Sequence, residues 1–127
     1  MSIAVFSVFP IYKTVNIFYY QNMSLETFNS GASILKILAN ARRLEIVNLL
    51  HHDELCVTDM YMMLDLSQAN VSQHLMVLRQ AGIVRSRREG KFMYYKLAHP
   101  SLWKIVLGLR EAVGDYTAFL GKASSTV

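Results

Sequence analysis

Five polar side chains stand close together on a short stretch of this chain: Gln68, Asn70, Ser72, Gln73 and His74. Their amide, hydroxyl and imidazole groups both donate and accept hydrogen bonds, whereas a merely solvated helix face would more often carry Lys or Glu. Groups of this kind match the donor and acceptor pattern on base edges in a duplex major groove, where a good bidentate contact discriminates by about 1–3 kcal/mol. The stretch must be helical to present them. Ser67 is a good N-cap, Val71, Leu75 and Leu78 recur at helical spacing as one apolar seam, and Gly82 supplies a permissive end. An ordinary amphipathic helix has the same outline, so the neighbouring residues must decide between the two uses.

Those neighbours are cationic. From Arg79 to Lys96 there are six basic residues (Arg79, Arg85, Arg87, Arg88, Lys91, Lys96) against one acid, Glu89, a local balance of +5 within a net charge of +4. All of the excess positive charge therefore follows the polar helix directly, where a polyanion would be gripped. Residues Ile83 to Arg88 and Phe92 to Leu97 are β-competent runs around Glu89-Gly90, which predicts a hairpin with a basic first strand and tip. Such a wing lies along phosphates or reaches a minor groove while the helix occupies the major groove.

A second cluster, His51, His52, Asp53, Glu54 and Cys56, could hold a metal. Vicinal His residues at a helix C-terminus also suit the dipole, and a small buried Cys is ordinary packing, so no metal site and no cofactor are expected. The single cysteine excludes an intrachain disulfide, and a reducing cytoplasm is the simplest setting. Catalysis has no support. The chain holds no glycine-rich phosphate loop, no paired-carboxylate frame and no nucleophile with a base at motif spacing.

The remaining elements form a frame of one domain's size: 127 residues, 53% hydrophobic. Residues 1–23 are an apolar arm broken by Pro10, Lys13 and Asn16, either an accessory segment or sequence upstream of a start at Met23; they are too interrupted for a membrane span. Residues 24–121 read as the domain. Ser24 to Ser30 are helix-compatible, and Gly31 is expected to interrupt them before Ile34, Leu35, Ile37 and Leu38. Asn40 should cap a helix from Ala41 to His51, with Leu44, Val47 and Leu50 or Leu49 facing in. Thr58 should cap a short helix, Asp59 to Leu64, joined by Asp65-Leu66-Ser67 to the polar helix. That gives a helix-turn-helix over about 58–81, a wing over about 83–97 and a last helix over about 100–120. On the last helix Ile105, Val106, Leu109, Val113, Tyr116 and Leu120 make a continuous apolar stripe, which a second copy would cover, and residues 122–127 read as a frayed tail. The expected class is mainly α with a small β-hairpin, a winged helix-turn-helix dimerising through its terminal helices. The rival reading is a winged-helix protein-interaction module without specific DNA binding.

Over Leu35 to Trp103 the sequence resembles the ArsR/SmtB family of small winged-helix repressors. The resemblance rests on Leu38-Ala39-Asn40-Ala41-Arg42-Arg43-Leu44, Glu54-Leu55-Cys56-Val57-Thr58-Asp59-Met60, Leu66 to Leu75, Leu78-Arg79-Gln80-Ala81-Gly82-Ile83-Val84 and Arg87-Arg88-Glu89-Gly90-Lys91. It implies a homodimer on double-stranded DNA at an inverted-repeat operator. It also implies DNA contacts at Ser67, Gln68, Asn70, Ser72, Gln73 and His74 and at Arg85, Arg87, Arg88 and Lys91, to which Arg79 is added from the basic run; Ser67 serves more as cap than as reader. Arsenic-responsive members carry Cys-Val-Cys where this chain has Cys56-Val57-Thr58, and one thiolate per subunit cannot build a trigonal sulfur site. The family's alternative site on the last helix would have His99, Glu111 and Asp115 but no second His.

Overall fold

Capping chemistry sets where the helices begin and end in the computed structural model, which describes residues 23–125. The chain divides into two units, Met1–Lys36 and Ile37–Val127. Apart from Met23, the expected N-terminal arm lies outside the described residues. Helix α1, Leu25–Leu38, opens on Ser24, whose Oγ accepts from the Thr27 amide. It runs through Gly31 rather than breaking there. A lone glycine costs a helix only about 1 kcal/mol, and Gly31 holds no positive φ that would turn the chain.

Asn40 caps α2, Ala41–Leu49, with its Oδ1 accepting from the Arg42 and Arg43 amides at 3.0 and 3.2 Å. The helix stops two residues short of the expected His51, and its buried residues are Ile46 and Val47, with Leu50 following; Leu44 is only partly buried. His51 instead leaves the helix and stacks on Trp103, ring centroids 3.4 Å apart and planes within 8°. The Trp103 indole donates to Asn48 Oδ1, so the end of α2 is docked on the start of the last helix.

Strand β1, Leu55–Cys56, leads straight into α3, Val57–Leu64, so the N-cap is Cys56 and not Thr58. The Cys56 side chain makes no capping bond to the backbone; its thiol instead donates to Asp59 Oδ2 at 3.2 Å. Asp65 ends α3 in the left-handed region (φ 52), with the Leu66 amide donating to Tyr61 O and the Asp65 amide to Met62 O. Ser67 then caps α4, Gln68–Gln80, through the Asn70 amide at 3.1 Å. Gly82 (φ +74) closes α4 by the same double bond pattern, Ile83 amide to Leu78 O and Gly82 amide to Arg79 O.

The wing is β2, Val84–Glu89, and β3, Phe92–Leu97, joined at Gly90-Lys91, where Gly90 takes the positive φ that a two-residue hairpin loop needs. The structure adds a third strand to the hairpin expected from the sequence: β1 pairs with β3, Leu55 opposite Tyr95, giving the antiparallel order β1-β3-β2. His99 caps a 3-10 turn, Pro100–Leu102, and α5 follows over Trp103–Ser125, through much of the tail expected to fray. One core forms from α2, α3, α4 and the base of the wing: Ile46, Val47, Met60, Val71, Leu75 and Leu78 are sealed from solvent, with Val84 and Ile83 beside them. Among the described residues, no helix is long and apolar enough to cross a membrane.

Candidate nucleic-acid interface

With Val71, Leu75 and Leu78 turned into the core, helical geometry fixes what α4 shows outside. Residues Ala69, Gln73, Met76 and Gln80 follow at i, i+4, i+7 and i+11 on the face opposite the seam, and all four are exposed. Gln68, Ser72 and Arg79 share the flank nearer the wing, where the Arg79 guanidinium approaches Ser86 Oγ at 3.4 Å. Asn70 is exposed on the other flank. The side chains of Gln68, Asn70, Ser72 and Gln73 make no hydrogen bond among the described residues, so their donors and acceptors are free for a partner. Ser67 is occupied as the cap.

His74 stands apart from this set. It is half-buried beside the seam, facing the start of α2, and burial together with the Arg43 and Arg42 charges holds its imidazole below the ordinary value. The ring is thus favoured in its neutral form and is less open to solvent than Gln68, Asn70, Ser72 and Gln73. The exposed Met76 and Ala69, which residue chemistry alone passes over, supply apolar surface at the middle of the outer face; apolar contacts of this sort suit a thymine methyl.

Strand alternation sorts the wing cations onto two faces. Arg88 lies opposite Met93 on the face shared by Val84 and Ser86, which packs toward the helices, and Lys91 lines a cleft of about 200 Å³ with Thr58, Gln68 and Ser72. Arg79, Arg88 and Lys91 are thus the cations beside α4. Arg85 and Arg87 lie on the other face, opposite Lys96 and Tyr94. Arg87 is also already engaged: its Nε donates to Glu54 Oε1 and its Nη1 to Glu89 Oε2, each at 2.7 Å, and the guanidinium lies 4.7 Å over the Tyr94 ring. These carboxylates push the Arg87 guanidinium further toward its charged form, and Arg87 holds the Glu54 carboxyl below its ordinary value.

The side chains around His51 and Cys56 have other partners. His51 is committed to Trp103 and Cys56 to Asp59, and among the described residues no three His, Cys, Asp or Glu side chains converge to hold an ion. Thr58 offers a hydroxyl where a soft metal would need a second thiolate.

Two helices joined by a three-residue turn, the second with a free polar face and a basic hairpin beside it, define a winged helix-turn-helix domain. A model of the family described as "Bacterial regulatory protein, arsR family" matches residues 40–86. The chain is 44% identical over 72 residues to the arsenical resistance operon repressor of Escherichia coli K12, a match covering 55% of this chain and 62% of that protein. It is 37% identical over 94 residues to a transcriptional repressor SmtB homolog of Synechocystis, covering 74% of this chain and 68% of the relative. Among solved structures, the homodimeric winged helix-turn-helix DNA-binding domain of a possible ArsR-family regulator from Mycobacterium bovis superposes with a TM-score of 0.63 at 26% identity, over 76% of this chain and 92% of that one. The chain belongs to the arsR family of bacterial regulatory proteins. It spans about three fifths of the Escherichia coli relative's length.

Proposed function

We propose that this chain is a sequence-specific, homodimeric DNA-binding transcription regulator of the repressor kind, acting in the cytoplasm on an inverted-repeat operator and excluding polymerase by occupying it. The observation that carries this reading is the free, neutral, hydrogen-bonding face of α4, with Arg79 on its flank, Lys91 sharing a cleft with Gln68 and Ser72, and Arg88 on the wing face turned toward the helices. Gln68, Asn70, Ser72 and Gln73 read base edges; Arg79, Arg88 and Lys91 hold phosphates, and Arg85 adds to the field from the outer face of the wing. Ser67 fixes the start of the reading helix, and His74 lies at the edge of its apolar seam.

The second copy docks on α5. Leu109, Val113, Tyr116 and Leu120 recur on one face of that helix and remain 44–62% exposed, a stripe too large and continuous for a solvated helix of a lone protomer. Two-fold pairing there places two α4 helices for adjacent major grooves. Selection of bound sites from random duplex DNA tests the proposal. The expected product is a pair of inverted half-sites with centres about 10–10.5 bp apart; recovery of unenriched sequence would overturn it.

A further inference from the structure

One basic residue of the wing is placed unlike the others. Arg87 starts on β2, and the register puts Tyr94 of β3 opposite it and Cys56 of β1 opposite Tyr94, so a side chain crossing the sheet from β2 passes over Tyr94 and ends at the β1 edge. Arg87 does this. Its guanidinium covers the Tyr94 ring and meets Glu54, the residue immediately before β1, through both Nε and Nη2, while Nη1 takes Glu89. One side chain therefore ties the wing's first strand, its second strand and the turn that opens α3. β1 is only Leu55–Cys56, so its backbone pairing alone is a slight attachment. It also runs straight into α3, the first helix of the helix-turn-helix, so whatever fixes the wing on β1 fixes the angle between wing and helices.

We infer that Glu54 and Arg87 are positioning residues for DNA binding: they form a latch that sets the wing against the helix-turn-helix, and Arg87 does not grip phosphate. This rests on the DNA-binding role proposed above. Three observations favour a latch over a phosphate contact. Arg87 lies on the face of the wing opposite Arg88. Each of its donor nitrogens is already directed at a carboxylate. Glu54 is the less exposed partner, its side chain 24% accessible against 51% for Arg87, so the anion is seated in the body of the domain and the cation comes to it.

The two roles predict opposite signs. If Arg87 were a phosphate contact restrained by Glu54, Glu54→Gln would free it, remove a repelling charge and tighten binding. With a latch, Glu54→Gln weakens binding about two- to fivefold, the range of an exposed ion pair, despite removing a negative charge. Arg87→Ala weakens it similarly, and the double variant is no weaker than the worse single one, because both break one connection. Arg87→Lys does not rescue, since a point charge cannot reach both carboxylates as a planar fork does. The salt dependence is the second readout. Removing one phosphate-binding side chain from each protomer flattens the slope of log K against log salt by about 1.8, at about 0.9 per phosphate, whereas loss of a latch leaves it unchanged.

The experiment is a salt titration of binding to the selected duplex for the wild type, Glu54→Gln, Arg87→Ala, Arg87→Lys and the double variant. Backbone amide exchange of Leu55 and Tyr95, the pair that joins β1 to β3, is measured alongside in the free protein. Weaker binding with an unchanged slope, together with faster exchange in both single variants, is the expected result. Tighter or unaltered binding by Glu54→Gln, a flattened slope for Arg87→Ala, or wild-type exchange in both variants overturns the latch. Failure of the wild type to select any duplex overturns the DNA-binding role instead, and the exchange data still judge the latch.

Discussion

Replacing Val113 by Glu tests the subunit contact that everything downstream requires. Full burial of a large apolar side chain contributes about 1.5–3 kcal/mol, and Leu109, Val113, Tyr116, Phe119 and Leu120 retain 44–65% of their exposure in one protomer. About half of each contribution is therefore still to be gained, about 1 kcal/mol per side chain, or about 10 kcal/mol when five from each protomer meet. Association itself costs about 4–15 kcal/mol, so the dimer has little surplus and depends on the whole stripe. A carboxylate at Val113 is desolvated on both protomers, a penalty of several kcal/mol, and self-association should weaken by about a thousandfold or more. Sedimentation equilibrium over a concentration series reads this directly, with circular dichroism to verify that the helices persist. Glu111→Lys, away from the stripe, is the control and should dimerise as the wild type does. A Val113→Glu chain that dimerises as tightly as the wild type would refute the reasoning, as would equal weakening in the control.

Leu75→Ala, at a position sealed from solvent on the α4 seam, should cost about 2–5 kcal/mol in urea unfolding, because the cavity lies between elements that cannot both close on it. The depressed imidazole of His74 makes the native state bind fewer protons than the unfolded chain, so stability should fall as pH drops below the ordinary value of 6.5, and His74→Gln should reduce that fall in thermal melts followed across pH 7.5 to 5. His51, also depressed, adds in the same direction and should leave a residual slope in the variant. Gln73→Ala should broaden base preference with little change in salt slope. Arg88→Ala with Lys91→Ala should instead weaken binding to every duplex and flatten the slope by about 3.6, because the dimer then neutralises four fewer phosphates.

The parts of the fold that can be read from the sequence are those that local chemistry decides. Ser67 and Asn40 cap the helices that their side chains suit them to cap, Val71, Leu75 and Leu78 form the seam, and Gly82 and Gly90 take positive φ at the two places where the chain must turn. Spacing misleads where a distant partner or a neighbouring element decides. Gly31 looks like a break because glycine disfavours helix, but its cost of about 1 kcal/mol is too small to stop one on its own. Thr58 looks like a cap, but β1 is held by β3, some forty positions further along, and so brings the chain to the helix start two residues earlier, at Cys56. The basic run from Arg79 to Lys96 looks uniform in a linear count. Strand alternation divides it, and Glu54, which carries no signal of its own, closes on Arg87 from 33 residues away. The free face of α4 is legible from spacing alone; the part burial of His74 at the edge of the seam is not, because it depends on what packs beside that helix.

Guanine N7 lies in the major groove, so its protection from dimethyl sulfate reports directly on what fills that groove. On the selected duplex, the wild-type protein should protect guanines in two clusters about 10–10.5 bp apart, and Gln73→Ala should lose protection within the clusters while still binding. Tight binding with every N7 left reactive, or with one cluster only, would contradict a paired set of α4 helices reading adjacent major grooves.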